Sequence, residues 1–122
     1  MIGSIFSVFV ALSFLALGAG AYAAPAKLAE NYGLPSADPT VHGYVRALGA
    51  RDAVLGLMIF TFLIAKSRGA VGATVALSAL VGASDFLIVY GARGTSAKSS
   101  LAIHGVGTVG LIAVWGLIRS GL

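Results

Sequence analysis

Four long apolar runs divide this chain, and the stretches between them are short and polar. They cover about 2–24, 39–65, 69–91 and 99–118. Each approaches the ~20 residues that a helix needs to cross a hydrocarbon core of ~30 Å. None alternates apolar and polar residues with the period of two that barrel strands show, and lipid admits only helices or closed barrels. The pattern therefore predicts an all-α fold: a single membrane domain over 1–122, an integral four-helix transmembrane bundle with antiparallel up-down topology.

The breaks between the runs have local causes. Asp38 is placed to cap the second helix, with Pro39 in its first turn, where an N–H is not needed. Lys66-Ser67-Arg68-Gly69 makes a tight turn, and a polar loop with Gly94, Thr95 and Ser96 follows the third run. The connection 25–37 is longer. Within it Lys27, Glu30 and Asn31 fall on one helical face and Leu28 and Tyr32 on another, with Gly33 and Pro35 placed to end the turn. A short interfacial segment over the mouth of the bundle and an ordinary surface loop both fit. The first run ends in Ala21-Tyr22-Ala23, which looks like a signal-peptidase site. No Lys or Arg precedes it, and it is longer than the ~7–15 residues of a signal h-region, so it is read as the first transmembrane helix.

Composition agrees with this class. Of 122 residues, 58% are hydrophobic and 10% charged, against about 25% charge in soluble domains. The net charge of +4 lies in loop residues that suit lipid headgroups, without the basic run or aromatic-basic interleaving of a nucleic-acid surface. No nucleic-acid partner is expected. Cysteine is absent, which removes disulfide, thiol and Cys-ligated metal chemistry. Lys27, Arg93 and Lys98 on one side face Lys66, Arg68 and Arg119 on the other, so the positive-inside rule leaves orientation, and which membrane, open. Seventeen glycines, many inside the spans, favour close helix packing within the bundle or between copies, so a homo-oligomer is one expectation.

The informative residues are the ionisable ones inside or at the edge of the apolar runs: Arg46, Arg51, Asp52, Asp85 and His104. A charge near the bilayer centre costs roughly 2.5–3.5 kcal/mol even on a lenient scale. At ~1.5 Å per residue, Asp85 lies ~9 Å and His104 ~7 Å from helix ends on the same side, in the layer of Arg51 and Asp52. Arg51 and Asp52 point about 100° apart and are expected to be poor partners for each other. Arg51 is expected to reach Asp85, and His104 to meet Asp52 or complete a three-residue network. With Arg46 included and His104 neutral the formal sum is zero, as a buried network requires. Tyr22, Tyr32, Tyr44 and Tyr90 map to the same side, as membrane anchors or as hydroxyls for a site. His42 sits near the interface. No His, Asp or Glu pair has the i, i+4 spacing of metal ligands, so no metal is expected. No cofactor motif is present.

The stretch Arg46-Ala-Leu-Gly49-Ala-Arg51-Asp52-Ala-Val-Leu-Gly56 resembles a family of small four-helix membrane proteins of unknown function. They are similar through a Gly-x-Arg-Asp/Asn motif on helix two, an acidic residue late in helix three and a histidine early in helix four. Gly49, Arg51, Asp52, Asp85 and His104 match those positions. The resemblance implies the fold and the membrane and supplies no reaction.

Three functions compete. The first is a cofactor-independent isomerase or cyclase acting on a lipophilic small molecule, with Asp85 and His104 as acid and base and Asp52 orienting His104. In it Arg51 would hold an oxygen where charge develops, with Tyr44 and Tyr90 as further substrate-binding residues. The second is a small proton-coupled transporter acting as an oligomer, disfavoured by the lack of an acidic residue in the first helix. The third is a non-catalytic membrane subunit or lipid-binding scaffold.

Overall fold

The computed structural model describes Met1–Leu122 and is helical throughout, without strands. Its elements are α1 (Ile2–Ala23), the short α2 (Pro25–Tyr32), α3 (Pro39–Ile64), α4 (Arg68–Arg93) and α5 (Lys98–Ser120). Three apolar helical stretches are long enough to cross a membrane: Ile2–Ala23, Pro39–Ile64 and Arg68–Ser120. The last is interrupted by a 3₁₀ turn at Gly94–Ala97, which separates α4 from α5. Gly94 sits there at φ +53, a conformation that costs glycine little. By the length and hydropathy of these helices the chain is a membrane protein. Large apolar side chains such as Phe9, Leu80, Leu87 and Val106 point outward, as a lipid-facing surface requires.

Local chemistry sets the helix ends. Asp38 Oδ1 accepts from the Thr40 backbone N–H at 2.8 Å, and Pro39 occupies the first turn of α3. Gly33 closes α2 in the left-handed region at φ +107. Lys27 and Glu30 on α2 form an exposed ion pair at 2.9 Å, of the kind that contributes little in water.

Small residues decide how the long helices meet. Gly18 of α1 packs on the Gly49 carbonyl and Ala53 of α3, and Gly56 packs on the Ala11 carbonyl. Gly82 of α4 faces Thr108 of α5, and Gly72 faces Ile118 and Trp115. Without side chains at these positions the backbones approach closely and gain dispersion contacts. The apolar core occupies only one half of the molecule. Ala11, Ile59, Val71, Val75, Val114 and Ile118 form it, with Phe14, Phe60 and Trp115 packed around. These residues cluster toward the α3–α4 turn. The other half, under α2, is arranged differently.

Candidate functional site

The half under α2 holds a cavity of about 400 Å³, within the size range of small-molecule sites. α1 supplies Phe14, Leu17 and Ala21 to its wall, and α2 supplies Leu28, Asn31 and Tyr32. Val45, Leu48, Gly49, Arg51 and Asp52 come from α3, and Ser78, Val81, Gly82 and Asp85 from α4. α5 completes the wall with Ile103, His104, Gly107, Thr108 and Leu111. The ionisable side chains gather at the end covered by α2. From Ala21 to Phe14 along α1 the wall then runs ~10 Å deeper, and there it is lined by apolar and small residues.

Arg51 is the hub of the polar end. Its Nε and Nη2 donate to Asp52 Oδ1 at 3.0 and 2.9 Å. Nη2 also donates to Asp85 Oδ2 at 3.2 Å, and Nη1 to Asp85 Oδ1 at 3.4 Å. A guanidinium has five N–H donors, so one Nη1 hydrogen is left over. Asp85 is 7% exposed and has a donor on each oxygen, with Tyr32 Oη also donating to its Oδ1 at 3.0 Å. His104 Nε2 lies 2.9 Å from the Tyr32 carbonyl. A carbonyl only accepts, so Nε2 carries the proton, and in a neutral ring Nδ1 is an open lone pair. The Tyr32 and His104 rings meet edge to face with centroids 4.8 Å apart.

Two atoms of the cluster make no hydrogen bond: Asp52 Oδ2 and His104 Nδ1. No buried side-chain nitrogen or oxygen in the protein lacks a partner, so both atoms are accessible rather than sealed in. Both residues line the cavity. Asp85, by contrast, has its oxygens covered by Arg51 and Tyr32.

Several sequence expectations change in the folded chain. Arg51 and Asp52 are direct partners, at 2.9 Å: the arginine side chain is long enough to fold sideways across the ~100° between neighbouring helix positions. Arg51 also reaches Asp85 on α4. His104 makes its bond to the α2 backbone and none to Asp52. Arg46 is exposed and takes no part in any ion pair, so the partly buried cluster of Arg51, Asp52 and Asp85 sums formally to −1, not zero. Tyr44 and Tyr90 are 70% and 52% exposed and lie outside the cavity wall; Tyr90 stacks on Phe86 instead. Tyr32 is the tyrosine at the site. Its place immediately before Gly33, at the C-terminal end of a short helix, gives no sequence signal that it turns inward. Burial, and then the charge of Asp85 beside it, hold its phenol well above the ordinary tyrosine range.

α2 is fastened over this site at three points. Besides the Tyr32 bonds, Arg93 Nη1 donates to the Gly33 carbonyl at 3.2 Å. Gly33 itself rests on Val89 of α4 and Ser100 of α5, with no room for a Cβ.

No curated protein and no solved structure matches this chain. A protein-family model described as a domain of unknown function (DUF4267) matches residues 11–119, which takes in α2, α3, α4 and all five residues of the polar cluster. This all-helical membrane chain, with its cavity under α2, belongs to the DUF4267 family of unknown function.

Proposed function

We propose that this protein is a multi-pass integral membrane protein whose cavity binds a lipophilic small molecule and moves a proton on it, as a cofactor-independent isomerase or cyclase does. In this reading the four long helices cross the bilayer up and down in antiparallel order. The pairing of Gly18 with Gly49 and Ala53, and of Ala11 with Gly56, supports that order: sequence rises on α3 as it falls on α1. The observation that carries the function is the union of an apolar cavity with two accessible proton-handling atoms, Asp52 Oδ2 and His104 Nδ1, at its polar end.

The roles follow from which atoms are free. Asp52 and His104 serve as the proton-handling pair: one takes a proton from the substrate, and that proton, carried by either group, is returned at a second position, so the isomerisation needs neither an oxidant nor a proton from elsewhere. The spare Nη1 hydrogen of Arg51 faces an oxygen on which negative charge develops. Asp85 is a positioning residue that holds Arg51 and Tyr32. This reverses the roles of Asp52 and Asp85 expected from sequence, because each oxygen of Asp85 already accepts from Arg51 or Tyr32, whereas Asp52 Oδ2 accepts from no protein donor.

The test is mass spectrometry of small molecules that co-purify with the protein, before and after incubation in D₂O. Wild type retains a specific lipophilic compound and incorporates deuterium into it. Asp52→Asn and His104→Ala retain the compound, but incorporation slows by roughly 10²–10⁴-fold, the usual contribution of a positioned acid or base. A retained compound that gains deuterium equally in all three proteins overturns the catalytic roles. Bulk lipid alone in every preparation overturns the pocket reading.

A further inference from the structure

The cavity wall is not equally tight all round. α1 and α5 meet at the end far from α2, where Gly3 packs on Ile118, and Val114 and Ile118 join Ala11 in the core. Toward α2 they face each other across the cavity. Leu17 on α1 and Ile103 on α5 both line it and yet are 44% and 57% exposed on the outer surface. Gly107, also on the wall, is exposed, and a Cβ there would meet nothing within 4 Å. A side chain that lines a cavity and is also open to the outside marks an edge of an opening. These three residues lie on the lipid-facing flank, about one to three helical turns inside the ends of their helices. Asn31 of α2 also lines the cavity and is exposed, but it is polar and sits beside the ionisable cluster, whereas the rim formed by Leu17, Ile103 and Gly107 is apolar.

The polar end restricts what can occupy the cavity. Arg51 is shared by two carboxylates, the cluster sums to −1, and beside the single spare Nη1 hydrogen of Arg51 the accessible atoms Asp52 Oδ2 and His104 Nδ1 are acceptors. The head of a ligand must therefore donate hydrogen bonds. A carboxylate or phosphate head would add a second unbalanced negative charge in a medium of low dielectric.

We infer that the pocket takes a single-chain amphiphile with a hydrogen-donating head, an amine or a hydroxyl, and admits it sideways from the bilayer between α1 and α5, past Leu17, Ile103 and Gly107. The inference rests on the pocket reading above and adds the route and the head group. Gly107 is the natural point of control, since its missing side chain is what leaves the seam wide.

The test uses alkyl diazirine probes of one chain length with an amine, a hydroxyl or a carboxylate head, photoactivated in vesicles containing the full-length protein, with labelled residues read by peptide mass spectrometry. The amine and hydroxyl probes label cavity residues such as Phe14 and Leu111, and the carboxylate probe does so at least about tenfold less. Gly107→Trp cuts cavity labelling several-fold, whereas Gly110→Trp, an exposed position outside the wall with equally open space, leaves it unchanged. Cavity labelling that persists in Gly107→Trp overturns the entrance while the pocket stands. Equal labelling by all three heads overturns the head-group assignment. No cavity labelling of wild type by any probe overturns the inference together with the pocket on which it rests.

Discussion

Removing the Arg51 guanidinium tests whether the polar cluster is as tightly built as its geometry states. Arg51→Met keeps most of the side-chain volume and deletes the donors of all four hydrogen bonds to Asp52 and Asp85. Two carboxylates then share one part of the cavity wall without a counter-charge. Breaking a buried pair by removing one partner costs about 3–5 kcal/mol. Arg51 has a third of its side chain exposed, so the lower end, about 3 kcal/mol, is expected. The penalty comes from the charges left behind, which makes it reversible by a second substitution. In Arg51→Met with Asp85→Asn, Tyr32 still has an oxygen to donate to, and only Asp52 remains as a lone carboxylate with an accessible oxygen. Most of the lost stability should return, with a coupling of at least about 1 kcal/mol between the two sites. The assay is thermal unfolding in one detergent, followed by circular dichroism and by recovery of monodisperse protein. Arg51→Met as stable as wild type, or a double variant no better than the single one, refutes the claim that Arg51 is the shared counter-charge of Asp52 and Asp85.

Three further outcomes follow from other parts of the fold. Gly49→Val drives a Cβ into Ala21 and toward the Gly18 carbonyl and is expected to cost about 1–3 kcal/mol by overpacking; Gly43→Ala, where a Cβ meets nothing within 4 Å, is neutral or slightly stabilising, both read by the same unfolding assay. The Tyr32 phenol is raised by burial and by Asp85 above the value of 10.0 it has when free. A raised acid group stabilises the folded state below the unfolded pKa, and that contribution is lost as pH rises through the folded one. Tyrosinate absorbance should show one tyrosine titrating after the rest, accompanied by loss of hydrogen-exchange protection in α2, and Tyr32→Phe should abolish the late phase and weaken α2 protection already at neutral pH. Because the chain has no cysteine, single introduced thiols report topology cleanly: Glu30→Cys and Thr95→Cys are expected to react with an impermeant maleimide from one side of sealed vesicles and Ser67→Cys from the other, and labelling of all three from one side would contradict four crossings.

The local architecture is legible in the sequence because its causes are local. An apolar run must satisfy its own backbone in lipid, and only a helix does that within one segment. Asp38-Pro39 and Gly33 act through their own φ, ψ and side chains, so the start of α3 and the stop at Gly33 can be read without knowing what packs where, whereas a helix over 25–32 and an ordinary loop there fit the sequence equally. The rarity of charge in this composition singles out Arg51, Asp52, Asp85 and His104, since each is costly in lipid unless it has a partner. Helical rise alone puts them at one depth.

Who pairs with whom was decided by tertiary structure. Helical phase separates Arg51 from Asp52, but side-chain length and the pull of Asp85 from α4 bring the guanidinium across both. Arg46 and Tyr44 lie only a turn or two from Arg51 on the same helix, yet they face outward, because the Gly49–Gly18 contact sets the rotation of α3 against α1. Tyr32 enters the site because Gly33, seated on Val89 and Ser100, turns the end of α2 inward. The cavity has no sequence signature at all. It exists because small residues close the helices at one end while α1 and α5 stand apart at the other, and only three-dimensional packing fixes where that space is left.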